Sequence, residues 1–365
     1  MGVPEKIKKI EEDMLKTQVN KHTERHIGVL RAKLSKLKME QEEQQARRSG
    51  SAVGYDVKKS GDGTVVLIGL PSVGKSTLLN VLTNAKSKVA AYQFTTLDVV
   101  PGVLDYNGAR IQVLDLPGII KGASSGKGLG KRVLAVARNA DLIMFVIDVF
   151  QPEARSLLEK ELRLTGIRVD EDPPNVVIET TTTGGISVVS LVKLTKITVE
   201  TVKDILRVYG MNSARVVIRQ DISDEQLLDV ILGTRVYIPS LTVMNKIDLV
   251  NAGFTNELMD KLPYKFVPIS AESNLNIEAL KQEMYRRLDF IRIYMRRRSG
   301  ETDYKEPMIV RNGSTVLEIC DKVHRKIKDD FRYALIWGKS VKFDGQRVGI
   351  GHALMDEDVL TLVTK

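Results

Sequence analysis

The sequence predicts an α/β protein. A doubly wound parallel sheet is preceded by a helical hairpin, interrupted by a small α+β subdomain and followed by a β-grasp module. Three observations carry this reading. First, the apolar β-branched run Val65-Val66-Leu67-Ile68 leads through a glycine-bounded loop, GLPSVGKS at 69–76, into a helix-compatible stretch ending at Leu82. Second, further short apolar runs at 111–114, 142–149, 241–244 and 266–269 read as buried strands, and most end in polar or glycine-bearing residues. Third, 130 residues separate Asp115 from Asn245, whereas two βα units need only about 60. The expected boundaries are 1–48 for the hairpin, 49–167 with 236–289 for the main sheet domain, 168–235 for the insert and 290–365 for the last module.

The loop at 69–76 fits G-x-x-x-x-G-K-[ST], the phosphate-binding loop found between a strand and a helix N-terminus. Gly69 and Gly74 let the backbone bend so that N–H groups point at phosphate oxygens. Leu70, Pro71, Ser72 and Val73 form the cradle between them. Lys75 places a point charge at the β/γ-phosphates, the Ser76 hydroxyl can ligate Mg²⁺, and Thr77 continues the helix start.

The base is addressed by NKID at 245–248. Asp248 can accept hydrogen bonds from the ring N–H and exocyclic amino group of guanine, a donor pair that adenine lacks. A site built this way discriminates by roughly 10⁴ or more. Asn245 braces the loop, and the aliphatic stem of Lys246 can lie along the purine face. DLPG at 115–118 supplies Asp115, placed where a carboxylate can hold Mg²⁺ through water, then Leu116, Pro117 and Gly118, whose N–H can meet the γ-phosphate. In FTTL at 94–97, Thr96 is preferred over Thr95 as the residue that closes over the metal. Ser270-Ala271-Glu272 offers a backbone N–H to the guanine carbonyl oxygen. Five elements in this order imply a P-loop GTPase that takes GTP with Mg²⁺.

The wording of these motifs resembles the Obg-related branch of P-loop GTPases. GLPSVGKSTLLN, FTTLDVVPG and DLPGIIKGASSGKGLGKRVLAVA are most similar to the developmentally regulated GTP-binding (DRG) proteins of archaea and eukaryotes. The resemblance covers nearly the whole chain. It implies GTP hydrolysis to GDP, a C-terminal TGS domain, and a partner on the ribosome or among structured RNAs. One departure stands out. Ras-like GTPases follow DxxG with a glutamine that orients the attacking water, whereas this chain has Ile119 and then Ile120. Neither can hydrogen-bond water, so intrinsic hydrolysis should be slow unless an activator or other group supplies positioning. Some related GTPases recruit K⁺ through a P-loop Asn. The equivalent position here is Ser72, which leaves K⁺ open. Lys121, Lys127, Lys131 and Arg132 flank the same segment, where solvated surface is the commoner role.

The remaining sequence describes appendages. Lys, Arg, Glu and Gln dominate residues 1–48, and Ile27, Leu30, Leu34 and Leu37 keep helical spacing. In the insert, two apolar stretches flank TTTTGG and read as a hairpin, followed by a helix and a further strand. Six arginines, Arg286, Arg287, Arg292, Arg296, Arg297 and Arg298, fall within thirteen residues and read as a basic helix facing out. RNA or ribosome contact and a solvated face both fit that run. Net charge is +9 and the single cysteine, Cys320, rules out an internal disulfide. Together with the lack of any long apolar run, this points to a cytoplasmic protein with no membrane partner and no indicated DNA specificity.

Overall fold

The computed structural model describes residues 2–18, 23–49, 61–83, 100–116, 136–297 and 299–364. The chain divides into two compact units, one of Met1–Gly54 with Glu171–Tyr237 and one of Tyr55–Asp170 with Ile238–Lys365.

The second unit holds the expected sheet. Its six strands run in the order Val267–Pro268, Ser240–Asn245, Leu142–Asp148, Gly63–Ile68, Ala109–Asp115 and Val100–Tyr106. Neighbours are parallel except the last pair, which is an antiparallel hairpin turned at Asn107-Gly108. Both residues there have positive φ, 49° and 80°, as a two-residue hairpin turn requires. Strand Gly63–Ile68 is buried along its whole length, which is why it reads as unbroken Val, Leu and Ile rather than an alternation. The register sets Leu67 beside Asp115 and Asn245 beside Asp148. The polar ends of these strands therefore gather at the carboxyl edge of the sheet, where doubly wound folds bind ligands.

The same core continues into the C-terminal module. Phe290 and Ile309 are buried with the residues of the main sheet, and the Tyr285 and Phe290 rings meet edge-on with centroids 5.8 Å apart. Five strands here run in the order Met308–Arg311, Phe290–Met295, Val359–Thr364, Phe331–Trp337 and Gln346–Val348. Helix Val316–Val323 packs through Val316, Ile319 and Cys320 on one face of them. The buried Cys320 serves as a small apolar side chain.

The basic helix of the sequence reading is not found. Helix Ile277–Arg287 stops, Asp289 takes a left-handed φ of 52°, and Phe290–Met295 is a strand. Its alternation of Ile291, Ile293 and Met295 with Arg292 and Tyr294 has period two, and the arginine spacing hid it. The arginines are also largely engaged. Arg286 and Arg287 pair with Glu283, and Arg292 binds Asp356 at 2.7 Å and Glu357 at 2.9 Å. Hydrogen bonding to Asp356 pushes the Arg292 pKa up even further. Arg298 lies outside the described residues.

In the first unit, helices Val3–Lys16 and Glu24–Ser49 form the expected hairpin elements. The second helix packs on the insert, burying Ala32 with Val202, Ile205 and Leu227. Arg31 reaches Asp224 at 2.9 Å and Arg25 reaches Asp204 at 2.6 Å. The insert's sheet corrects the hairpin reading of TTTTGG. Strands Val176–Thr180 and Ile186–Ser190 do not pair with each other. Ala214–Ile218 lies between them, antiparallel to the first and parallel to the second. Helix Val199–Val208 provides the crossover that a parallel pair demands. A second helix, Asp224–Leu232, follows, opened by a capping box of Ser223 and Gln226.

Candidate nucleotide-binding site

The loop after strand Gly63–Ile68 is shaped by close approach. A Cβ on Gly69 would lie 2.4 Å from the Val146 carbonyl oxygen, and one on Gly74 would lie 2.4 Å from Asn245 Nδ2. Gly74 has φ 93° and Ser72 φ 62°, so the loop bends through two left-handed residues before helix Lys75–Leu82 begins. Val73 is buried, whereas Pro71, Ser72, Ser76 and Thr77 are exposed. Gly74→Ala should therefore cost about 1–3 kcal/mol from backbone alone and displace Asn245. Thermal unfolding with and without GTP would register both losses; an unaltered GTP-bound melting curve would contradict this packing.

Lys75 is buried and its Nζ donates to the carbonyls of Gly69 at 3.1 Å and Leu70 at 3.0 Å. Burial pushes its pKa down, opposed by the nearby Asp115 carboxylate. The ammonium is thus held over the loop, where phosphate oxygens could replace the carbonyls. Ser76 Oγ donates to Asp115 Oδ2 at 2.5 Å. Asp115 Oδ1 is buried and has no hydrogen-bond partner among the described residues. An orphaned carboxylate oxygen beside a hydroxyl fits a hard cation completed by phosphate oxygens, which is how Mg²⁺ is commonly held. Leu116 is buried beneath.

The base side is tied to this loop by one side chain. Asn245 Nδ2 donates to the Val73 carbonyl at 2.9 Å, and its Oδ1 accepts from the Ala271 N–H at 3.0 Å. Ser270 Oγ, buried, accepts from the Ser273 N–H at 3.1 Å. Two motifs about 170 residues apart in sequence and a third nearby are thereby locked together. The Ala271 amide is already committed to Asn245. Lys246 has a left-handed φ of 68° and its Nζ pairs with Asp148 at 2.6 Å. Asp248 stands exposed in a single helical turn, Ile247–Leu249, and Glu272 is also exposed.

Asp148 was missed by the motif reading. Its signal was its place, a carboxylate closing the apolar run 142–147 at the same sheet edge as Asn245. Thr96, Pro117, Gly118 and Ile119 lie outside the described residues.

A doubly wound sheet, a lysine- and serine-bearing loop and an asparagine-braced base loop define a P-loop GTPase. Family models agree. Residues 64–180 match "50S ribosome-binding GTPase", residues 183–290 match the C-terminal region of that domain and residues 291–364 match the TGS domain. The chain is 50% identical over 371 residues to an uncharacterized GTP-binding protein of Methanocaldococcus jannaschii, covering 100% of this chain and 94% of that one. It is 45% identical over 368 residues to human developmentally-regulated GTP-binding protein 2, covering 100% of both. With Arabidopsis thaliana developmentally-regulated G-protein 3 it shares 44%, covering 100% of this chain and 99% of the other. The chain belongs to the developmentally regulated GTP-binding family, as its motif wording implied.

Proposed function

We propose that this protein hydrolyses GTP to GDP and phosphate and uses the cycle as a switch on the ribosome or structured RNA. The observation that carries the chemistry is the Ser76–Asp115 pair, with its orphaned carboxylate oxygen, beside a buried Lys75. Mg²⁺, held by Ser76, Thr96 and Asp115, would neutralise charge on the β- and γ-phosphates. Lys75 would trade two backbone carbonyls for phosphate oxygens, and Thr96 and the Gly118 N–H would sense the γ-phosphate. Asp248 would accept from guanine while Asp148 steadies Lys246 alongside the ring. Ile119 has no group that can orient water. K⁺ near Ser72, or a group on a protein or RNA activator, would have to supply what the usual glutamine supplies.

The ribosomal link is supported by the "50S ribosome-binding GTPase" description of the matching model and by the TGS domain. Ile119 favours one other reading, a GTP-liganded RNA- or ribosome-binding scaffold with incidental hydrolysis. Single-turnover hydrolysis with and without large ribosomal subunits separates the two. A supplied charge is worth about 10³–10⁵ in related phosphoryl transfer, so the switch reading expects a large acceleration. A rate indifferent to ribosomes would favour the scaffold.

A further inference from the structure

The C-terminal sheet has two faces of different chemistry. Alternation sends Ile293, Ala334, Ile336 and Leu360 to the helix-covered core. It sends Tyr294, Arg296, Tyr333, Trp337 and Arg347 to the other side. A sheet face beyond the core would ordinarily carry small polar and paired charged residues. This one carries planar groups in stacks over the aliphatic Leu335, Val359 and Val363, which the register puts on the same face. The Arg296 guanidinium lies over Trp337, 4.3 Å from the ring centroid, and Arg347 lies over Tyr333 at 4.0 Å. Tyr294 meets Tyr304, itself exposed, at 5.1 Å.

Charge sharpens the contrast. Arg292, on the same face, is neutralised by Asp356 and Glu357. Among the described residues, Arg296 and Arg347 form no ion pair with a carboxylate. Arg296 Nε donates only to the Gly300 carbonyl, at 3.1 Å. Two unpaired cations therefore sit on two aromatic rings, with Tyr333 and Trp337 four residues apart on one strand. At a strand rise near 3.4 Å that is roughly 14 Å, about the span of two or three extended nucleotides.

We infer that this face binds single-stranded RNA, stacking unpaired bases on the Arg296–Trp337 and Arg347–Tyr333 pairs while the guanidinium groups meet the intervening phosphates. Aromatic rings and guanidinium planes are the surfaces on which splayed-out bases stack. A duplex hides its base faces and would leave the planar groups unused. An acidic peptide would meet the arginines but not the rings. The inference rests on the RNA-linked reading above and assigns it a surface distinct from the GTP site.

Trp337 is the only tryptophan in the chain, so intrinsic fluorescence reports from the face itself. Titrating the full chain with an unstructured RNA 12-mer should quench that emission saturably, and a 12-base-pair RNA duplex should bind at least about tenfold more weakly. The double variant R296A/R347A should lose about tenfold or more in affinity for the single strand while keeping its GTP affinity, which shows that it is folded. No quenching, equal duplex binding, unchanged affinity of the double variant, or displacement of the RNA by a poly-glutamate peptide would each overturn the proposal. If ribosomes still accelerate hydrolysis when the quench fails, this surface alone is wrong. If acceleration also fails, the ribosome-stimulated switch goes with it.

Discussion

Asp248→Asn is expected to erase most of the preference for GTP over ATP. A carboxylate offers acceptors to both guanine donors, whereas an amide turns one acceptor into a donor aimed at another donor. A discrimination on the order of 10⁴ depends on that match, and its loss should appear as a fall in the ratio of GTP to ATP affinity by about two orders of magnitude or more. Asp248 is exposed on a single turn, so the fold should be untouched and the melting temperature unchanged without nucleotide. An intact affinity ratio would remove Asp248 from the base site.

Lys75→Met should lower GTP affinity by about 10²–10⁴-fold. Charge-assisted hydrogen bonds are worth about 1.5–3 kcal/mol each, and the ammonium is placed to make two. Methionine keeps the stem that fills the space under the loop, so the loss is electrostatic rather than one of packing. The Gly69 and Leu70 carbonyls that Lys75 now satisfies would be left to water. GTP titration by calorimetry reads the change. Wild-type affinity in this variant would mean that the phosphates sit elsewhere.

Much of this was legible in the chain. The P-loop could be read because three constraints coincide in eight residues, a buried strand before it, glycines where a Cβ would strike backbone or side chain, and a lysine at the helix start. Asn245 and Ser270-Ala271 could be read because they end apolar runs, and the structure joins them by direct hydrogen bonds. The arginine run misled, since six like charges suggested one helical face when the underlying apolar pattern had period two. TTTTGG misled because a turn-like sequence says nothing of which strands later pair. A strand from beyond the crossover helix took the place between its flanks. Asp148 and the stacked arginines needed three dimensions, because their partners Lys246, Tyr333 and Trp337 lie ten to a hundred residues away.

The most direct test is competition for the site. Protein stripped of nucleotide would be titrated with fluorescent GTP in Mg²⁺, then challenged with GTP, ATP and GTP plus EDTA. A guanine-selective, metal-completed cradle predicts displacement by GTP, none by ATP at a thousandfold higher concentration, and marked weakening when EDTA removes the metal. Equal displacement by ATP, or affinity indifferent to EDTA, would contradict it.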